Sequence, residues 1–195
     1  MSQLTNALDV KNESGVWIRS YRTGIDRYHT RGGVLWNSVL TRCKPEGTGA
    51  SNGFESFQDF MDWATNELGY GLQDSGGLWH LDKDILVYGN KTYSKDTCVF
   101  VPQSINKLVL ENPLFRGDLP IGVSLTWNGK YRSRCTKNGK EVHLGVFDSP
   151  ELAHLKWVEK KRQIVGDLIQ SPELSGHGRL LEALTGYIER LGDIK

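Results

Sequence analysis

Two Asn-Gly dipeptides, Asn128-Gly129 and Asn138-Gly139, constrain the fold of this chain more than any other feature. They separate three segments of mixed apolar and polar residues, IGVSLTW, GKYRSRCTK and KEVHLGVF. Asn-Gly supplies the left-handed positions that a tight hairpin needs, so the pair predicts three consecutive antiparallel strands. Ser149-Pro150-Glu151 follows at once. A Ser cap, a Pro in the first helical position and an acid after it open a helix. Leu152, Leu155, Val158 and Val165 then fall near one face, with Ala153 and Trp157 beside it. The expectation is a three-stranded sheet covered on one side by one helix. Lys130, Arg132 and Arg134 alternate along the middle strand and therefore share one face, while Tyr131 and Ser133 face the other way. A sheet of this size can lie in a major groove and offer Arg to guanine N7 and O6. Lys140 adds a cation, and Trp127 is placed to touch backbone or base.

The formal net charge of +1 conceals a segregation. Residues 11–45 carry seven Lys/Arg against two acids, a net of +5. Residues 46–85 carry one Lys against eight acids, a net of −7. Residues 116–165 carry ten Lys/Arg against five acids, again +5. Basic blocks on both sides of an acidic centre suit a protein that holds phosphates and presents carboxylates to a metal; they suit a non-catalytic DNA binder as well. In the first basic block Arg19, Arg22, Arg27 and Arg31 are interleaved with Trp17, Tyr21, Tyr28 and His29, a pattern for phosphate pairing and base stacking.

The remaining elements follow from periodicity and caps. Residues 1–14 read as a loose lead-in. Leu35, Trp36, Val39 and Leu40 form a helical stripe that ends at Lys44-Pro45. Ser56 caps a second helix through Leu68, with Asp59 three residues on and Gly69 after it. Leu78–Val87 reads as a strand, Tyr88–Lys91 as a turn, Tyr93–Asp96 as a polar connection, Thr97–Val101 as a second strand and Ser104–Leu110 as a short helix. Asn112-Pro113 begins a linker to Pro120. The last amphipathic stretch, 178–191, either packs back on its own chain or serves as a homodimer or partner-docking helix.

No window approaches a membrane span, and the first residues lack a signal pattern. Cys43, Cys98 and Cys135 are odd in number and far apart, which argues against a disulfide framework or a zinc finger. A reducing, cytoplasmic setting is expected.

The chemistry concentrates in Trp79–Asn106. Cutting a phosphodiester needs a metal at the phosphate, a base for water and a scaffold that aligns them. Mg²⁺ prefers oxygen ligands and keeps several waters, so one or two protein oxygens suffice. A hairpin bearing Asp82, followed by a helix bearing Asn106, is a small unit of this kind. Alternation puts His80 and Asp82 on the same strand face.

This stretch resembles the HNH (ββα-metal) endonucleases, specifically the small ones of bacteriophage genomes. The likeness rests on LDKDI at 81–85, Gly89-Asn90 with Thr92-Tyr93-Ser94, Thr97-Cys98 with Phe100-Val101-Pro102, and Ile105-Asn106. The upstream Trp36…Arg42-Cys43 and Phe57…Trp63 helices extend it over roughly 34–110. The resemblance implies Asp82 and Asn106 as ligands of Mg²⁺ or Mn²⁺, and Asn90 as the residue that pins the hairpin. The family base follows the metal Asp; Lys83 stands there in this chain, so the base is Lys83, or His80, or is lost. Lys83 could instead orient phosphate. Residues 121–165 resemble the AP2 domain, the DNA-binding module of plant ethylene-response factors, through Ile121-Gly122-Val123, Gly129-Lys130-Tyr131-Arg132-Ser133-Arg134, HLGVFD at 143–148 and Ala153.

The expectation is an α+β chain: a basic arm (1–33), an HNH-like nuclease domain (34–112), an ethylene-response-factor-like domain (118–169) and a terminal helix (176–195). Its implied function is metal-dependent nicking or cleavage of duplex DNA, of a homing type, in the cytoplasm of a phage host. The rival is a DNA-binding regulator or inhibitor that keeps the modules without the chemistry.

Overall fold

The computed structural model describes residues 8–23, 26–74, 77–109, 118–137 and 139–191. The chain is α+β, with a three-stranded antiparallel sheet packed on one helix and a further helix at the C-terminal end. Expectations for residues 1–7, Leu110, the linker through 117, Asn138 and the tail 192–195 lie outside the described residues. The chain divides into two compact units, one of Met1–Gln73 with Trp79–Phe100, the other of Asp74–Leu78 with Val101–Lys195. The sequence-drawn boundaries differ from these: the basic arm belongs to the first unit, and the short helix bearing Asn106 belongs to the second.

In the first unit the basic segment is a hairpin, β1 (Ser20–Thr23) antiparallel to β2 (Asp26–His29). Helix α1 (Arg31–Arg42) starts four residues before the apolar stripe, because Thr30 is its cap. Thr30 is fully buried; its Oγ1 accepts from Gly33 N at 3.1 Å and donates to Ile18 O at 2.8 Å, fastening the hairpin to the helix. β3 (Ser51–Asn52) precedes α2 (Phe57–Ala64), whose cap Ser56 accepts from Asp59 N at 3.1 Å. α2 stops short of the expected Leu68. Thr65 and Asn66 turn their side chains back onto the carbonyls of Met61 and Asp62, at 2.8 and 2.6 Å, and so compete with the helix ladder. Gln58 binds the backbone N and O of Trp17, both at 2.8 Å, and holds the leading segment on α2. The core is aromatic: Phe54, Phe60, Trp63 and Phe100 meet in tilted, edge-on and stacked pairs with centroids 5.2–6.0 Å apart. Such pairs add specificity beyond the area they bury.

β4 (Gln73–Asp74) and β5 (Gly77–Leu78) form a short ladder. β6 (His80–Asp82) pairs with β8 (Val99–Val101), and β7 (Thr92–Tyr93) pairs in parallel with β3. The strand expected over 78–87 is thus three residues long at 80–82. Asp82 ends it by bonding the next turn of backbone. Tyr93, assigned to a polar connection from sequence, is a buried strand residue.

In the second unit α3 (Gln103–Val109) buries Ile105 and Leu108. β9 (Val123–Leu125), β10 (Tyr131–Lys137) and β11 (Lys140–Phe147) form the sheet in the order β11-β10-β9. Helix α4 (Pro150–Ile169) packs on it, capped by Ser149 Oγ on Leu152 N at 3.2 Å. Ser133 and Cys135 point into this contact with Ala153, Trp157 and Val158. Gly122, at φ +79°, lies flat on Trp157: a Cβ there would stand 2.0 Å from the indole Cδ1. Lys161 is buried on the same helix, beside the Trp157 ring, and its Nζ donates to Leu108 O near the end of α3. This places a cation against the negative end of a helix. α5 (Gly178–Arg190) buries Leu180, Leu184 and Tyr187 and packs along α4. Of the two readings of the terminal helix, packing on its own chain is therefore the one observed. Among the described residues no helix is long and apolar enough to cross a membrane.

Candidate functional site

Alternation along β6 buries Leu81 and leaves His80 and Asp82 together on the less buried side. Asp82 Oδ1 accepts from Asp84 N at 2.8 Å and from Ile85 N at 2.7 Å. Burial pushes the Asp82 carboxyl above its ordinary range, while these two N–H groups pull it back down. Oδ2 carries neither bond. A half-buried carboxylate with one oxygen fixed by backbone suits a hard, hydrated cation such as Mg²⁺, which can manage with one or two protein oxygens. Among the described residues no three His, Cys, Asp or Glu gather as a metal-holding group, so a zinc-type ligand set has no counterpart there.

The next residues form a closed loop. Asn90 Nδ2 donates to Lys83 O at 2.7 Å and to Thr92 O at 2.8 Å, and its Oδ1 accepts from Thr92 N at 3.1 Å. One amide therefore staples both ends of the 83–92 segment. Lys83 is turned inward, its side chain 14% exposed. Its Nζ donates to Asp84 Oδ1 and, at 3.3 Å, to Asn90 O, and lies 5.8 Å from the centre of the Tyr93 ring. Those bonds make it a donor held in place. Tyr93 Oη in turn accepts from Arg42 Nη1 at 2.9 Å. In the sequence Arg42 and Tyr93 stand out only as parts of the family likeness; nothing in local spacing links positions 51 residues apart or foretells their bond. Cys98 lies in the field of both Asp82 and Lys83, and burial pushes its thiol up to about 12. Asn106 stands half-buried on α3, in the second unit.

The second candidate surface is the outer face of the sheet. Arg132 and Arg134 are exposed between buried Ser133 and Cys135. The register shifts between Ser133 and Arg134, yet Arg134 stays outside, because β11 supplies the extra residue, Leu144. Arg132 opposes Ser124 and Val146, and Arg134 opposes His143. Arg134 is paired with Glu141 at 3.0 Å, and Lys130, which precedes the strand, with Asp148 at 2.8 Å. Arg132 and Lys140 meet no carboxylate among the described residues. Exposed pairs of this sort are worth at most about 1 kcal/mol, so an incoming phosphate can replace either acid.

Trp127 projects from the turn between β9 and β10 and is 96% exposed. The turn beneath it is tightly built. Thr126 N donates to Lys130 O at 2.8 Å, and Thr126 Oγ1 accepts from Lys130 N at 3.0 Å and bonds Asn128 Oδ1 at 2.6 Å. A large indole exposed on a braced turn is of a residue type enriched at interfaces.

The four N-terminal arginines separate into two kinds. Arg19 lies over the Phe57 and Trp36 rings, at 5.1 and 5.8 Å. Arg31 lies 4.7 Å over Tyr70, whose hydroxyl donates to Asp9, and burial lowers its affinity for the proton. Both are built into the first unit. Arg22 and Arg27 are exposed on the hairpin. Trp17 is structural as well, its Nε1 donating to Asp62 at 2.8 Å. No family model, no curated protein and no solved structure matches the chain.

Proposed function

We propose that this protein binds duplex DNA through the outer face of the β9–β11 sheet and hydrolyses phosphodiesters at the His80–Asp82 strand, in the manner of an HNH endonuclease. The observation that carries the reading is the sheet's outer face: Arg132, Arg134 and His143 stand outward beside a 96% exposed Trp127 on a braced turn. Cations set at strand spacing suit phosphates and guanine edges, and the indole suits stacking or wedging against bases. At the other site Asp82 would hold Mg²⁺ or Mn²⁺, with Asn106 added on the strength of the family resemblance alone. When bound, the metal supplies charge stabilisation to the leaving oxygen. His80, on the same face as Asp82, would take the proton from water, and Asn90 keeps the loop beneath them closed.

One observation favours a second reading. Lys83 occupies the family's base position, and its ammonium is committed to Asp84 and to Asn90 O. A DNA-binding regulator without nuclease activity would tolerate that arrangement. The two readings separate in a supercoiled-plasmid assay with Mg²⁺ or Mn²⁺. The nuclease reading expects nicking by the wild type and a loss of at least about a hundredfold in Asp82→Asn, with DNA affinity kept. Asn is chosen because its side-chain oxygen still accepts the Asp84 and Ile85 amides. Asn106→Ala tests the second ligand. Tight binding with no cleavage by any variant favours the regulator, and cleavage that survives Asp82→Asn sinks the site.

A further inference from the structure

The hairpin β1–β2 is an unused feature of the first unit. Its register sets Arg22 directly opposite Arg27 and Tyr21 directly opposite Tyr28. Cross-strand partners share a face, and neighbours along a strand alternate, so the tyrosines and the arginines occupy opposite faces. The tyrosine face is consumed by the hairpin itself: the rings stack with centroids 5.7 Å apart and planes 23° off parallel. The other face leaves two exposed arginines directly opposite each other on one rung of the ladder. Among the described residues neither meets a carboxylate. Like charges directly opposite each other weaken a hairpin. A two-stranded ribbon is marginal by itself, and this one stands because Thr30 fastens its end to α1 and the tyrosines stiffen it. Thr30 therefore fastens to α1 a pair of like charges whose repulsion an anion set across the two arginines would relieve.

We propose that Arg22 and Arg27 form a phosphate clamp for the backbone of duplex DNA, separate in sequence and in compact unit from the sheet surface. Guanidinium groups bind phosphate oxygens through paired, charge-assisted N–H bonds, and two facing each other across one rung can grip one phosphate or two successive ones. Such a contact positions the duplex and carries no sequence preference. The proposal does not rest on the nuclease reading.

The test is fluorescence-anisotropy binding of a labelled duplex over a salt series, with thermal melts of the same variants. In Arg22→Gln/Arg27→Gln the clamp predicts weaker binding to every duplex sequence and a log–log salt slope shallower by about two, since each lost phosphate contact removes about one. Arg22→Lys/Arg27→Lys should restore most of the slope. Arg27→Glu places an acid opposite Arg22; its melting temperature should hold or rise while DNA binding falls. A structural role for the arginines would move both readouts together. An unchanged affinity and slope in the Gln double variant overturns the clamp, whatever the sheet variants do. Weakening by Arg132→Gln/Arg134→Gln with no effect of the hairpin change would leave the sheet reading standing alone; the reverse pattern would leave only the clamp. Binding to anionic phosphatidylserine vesicles, with none to duplex DNA, also overturns it.

Discussion

Trp127 and Cys98 mark the two extremes of side-chain environment in this chain. Trp127 touches almost nothing of its own protein, so its removal should not disturb the fold. Trp127→Ala is expected to keep the wild-type melting temperature while duplex affinity falls roughly tenfold, the usual scale for losing one base–aromatic contact. A melting temperature that drops with the affinity would mean the indole packs on the protein. Cys98 is fully buried, and its thiol is raised from 9.0 to about 12. Between those two values the unfolded chain has released the proton that the native chain keeps. Stability therefore falls as pH rises through that window, and Cys98→Ala should flatten the alkaline limb. Burial keeps Cys98 protonated and out of reach at neutral pH, so a thiol reagent should label half-buried Cys43 first and Cys98 only as the protein unfolds. Rapid native-state labelling of Cys98 would contradict its burial.

Elements were legible where a local signal dictated them. Ser56 and Ser149 announced α2 and α4 through their caps, and the Asn-Gly spacing announced β9–β11. The inward Ser133 and outward Arg132 and Arg134 followed from alternation alone. What stayed hidden depends on partners distant in sequence. The hairpin β1–β2 has no Asn-Gly turn, and its footing is a Thr30 contact with Ile18 and Gly33. β7 is a strand only because Ser51–Asn52 lies beside it. The expected strand over 78–87 failed at Asp82, whose carboxylate turned out to organise the following backbone. Of the candidate site, Asn90 was legible as a turn residue, whereas the inward turn of Lys83 and the Arg42–Tyr93 bond were not. Gly122→Ala adds left-handed strain and drives a methyl into Trp157, about 3 kcal/mol together, lowering the melting temperature by roughly 10 °C. Gly129, at φ +78° with open space around it, should cost about 1 kcal/mol and roughly 3 °C. Equal losses at the two positions would contradict the packing of α4 on the sheet.

At the scale of the whole molecule, the segregation of charge along the sequence maps onto distinct structures. Of the five arginines in the first basic block two sit over rings, Arg42 bonds Tyr93 and two are exposed, and the later block supplies Arg132 and Arg134 on the sheet face. Between them lies the acidic segment that ends in the Asp82 loop. On the proposed reading the outer sheet face is the DNA surface. Duplex binding by wild type and by Arg132→Gln/Arg134→Gln, measured from low to physiological salt, tests it most directly. Both side chains are exposed, so the double variant should fold as the wild type does. Affinity should fall steeply with salt in the wild type, and in the variant the slope should be shallower by about two, with weaker binding at every salt concentration. A variant that binds duplex DNA with the wild-type affinity and slope would contradict it.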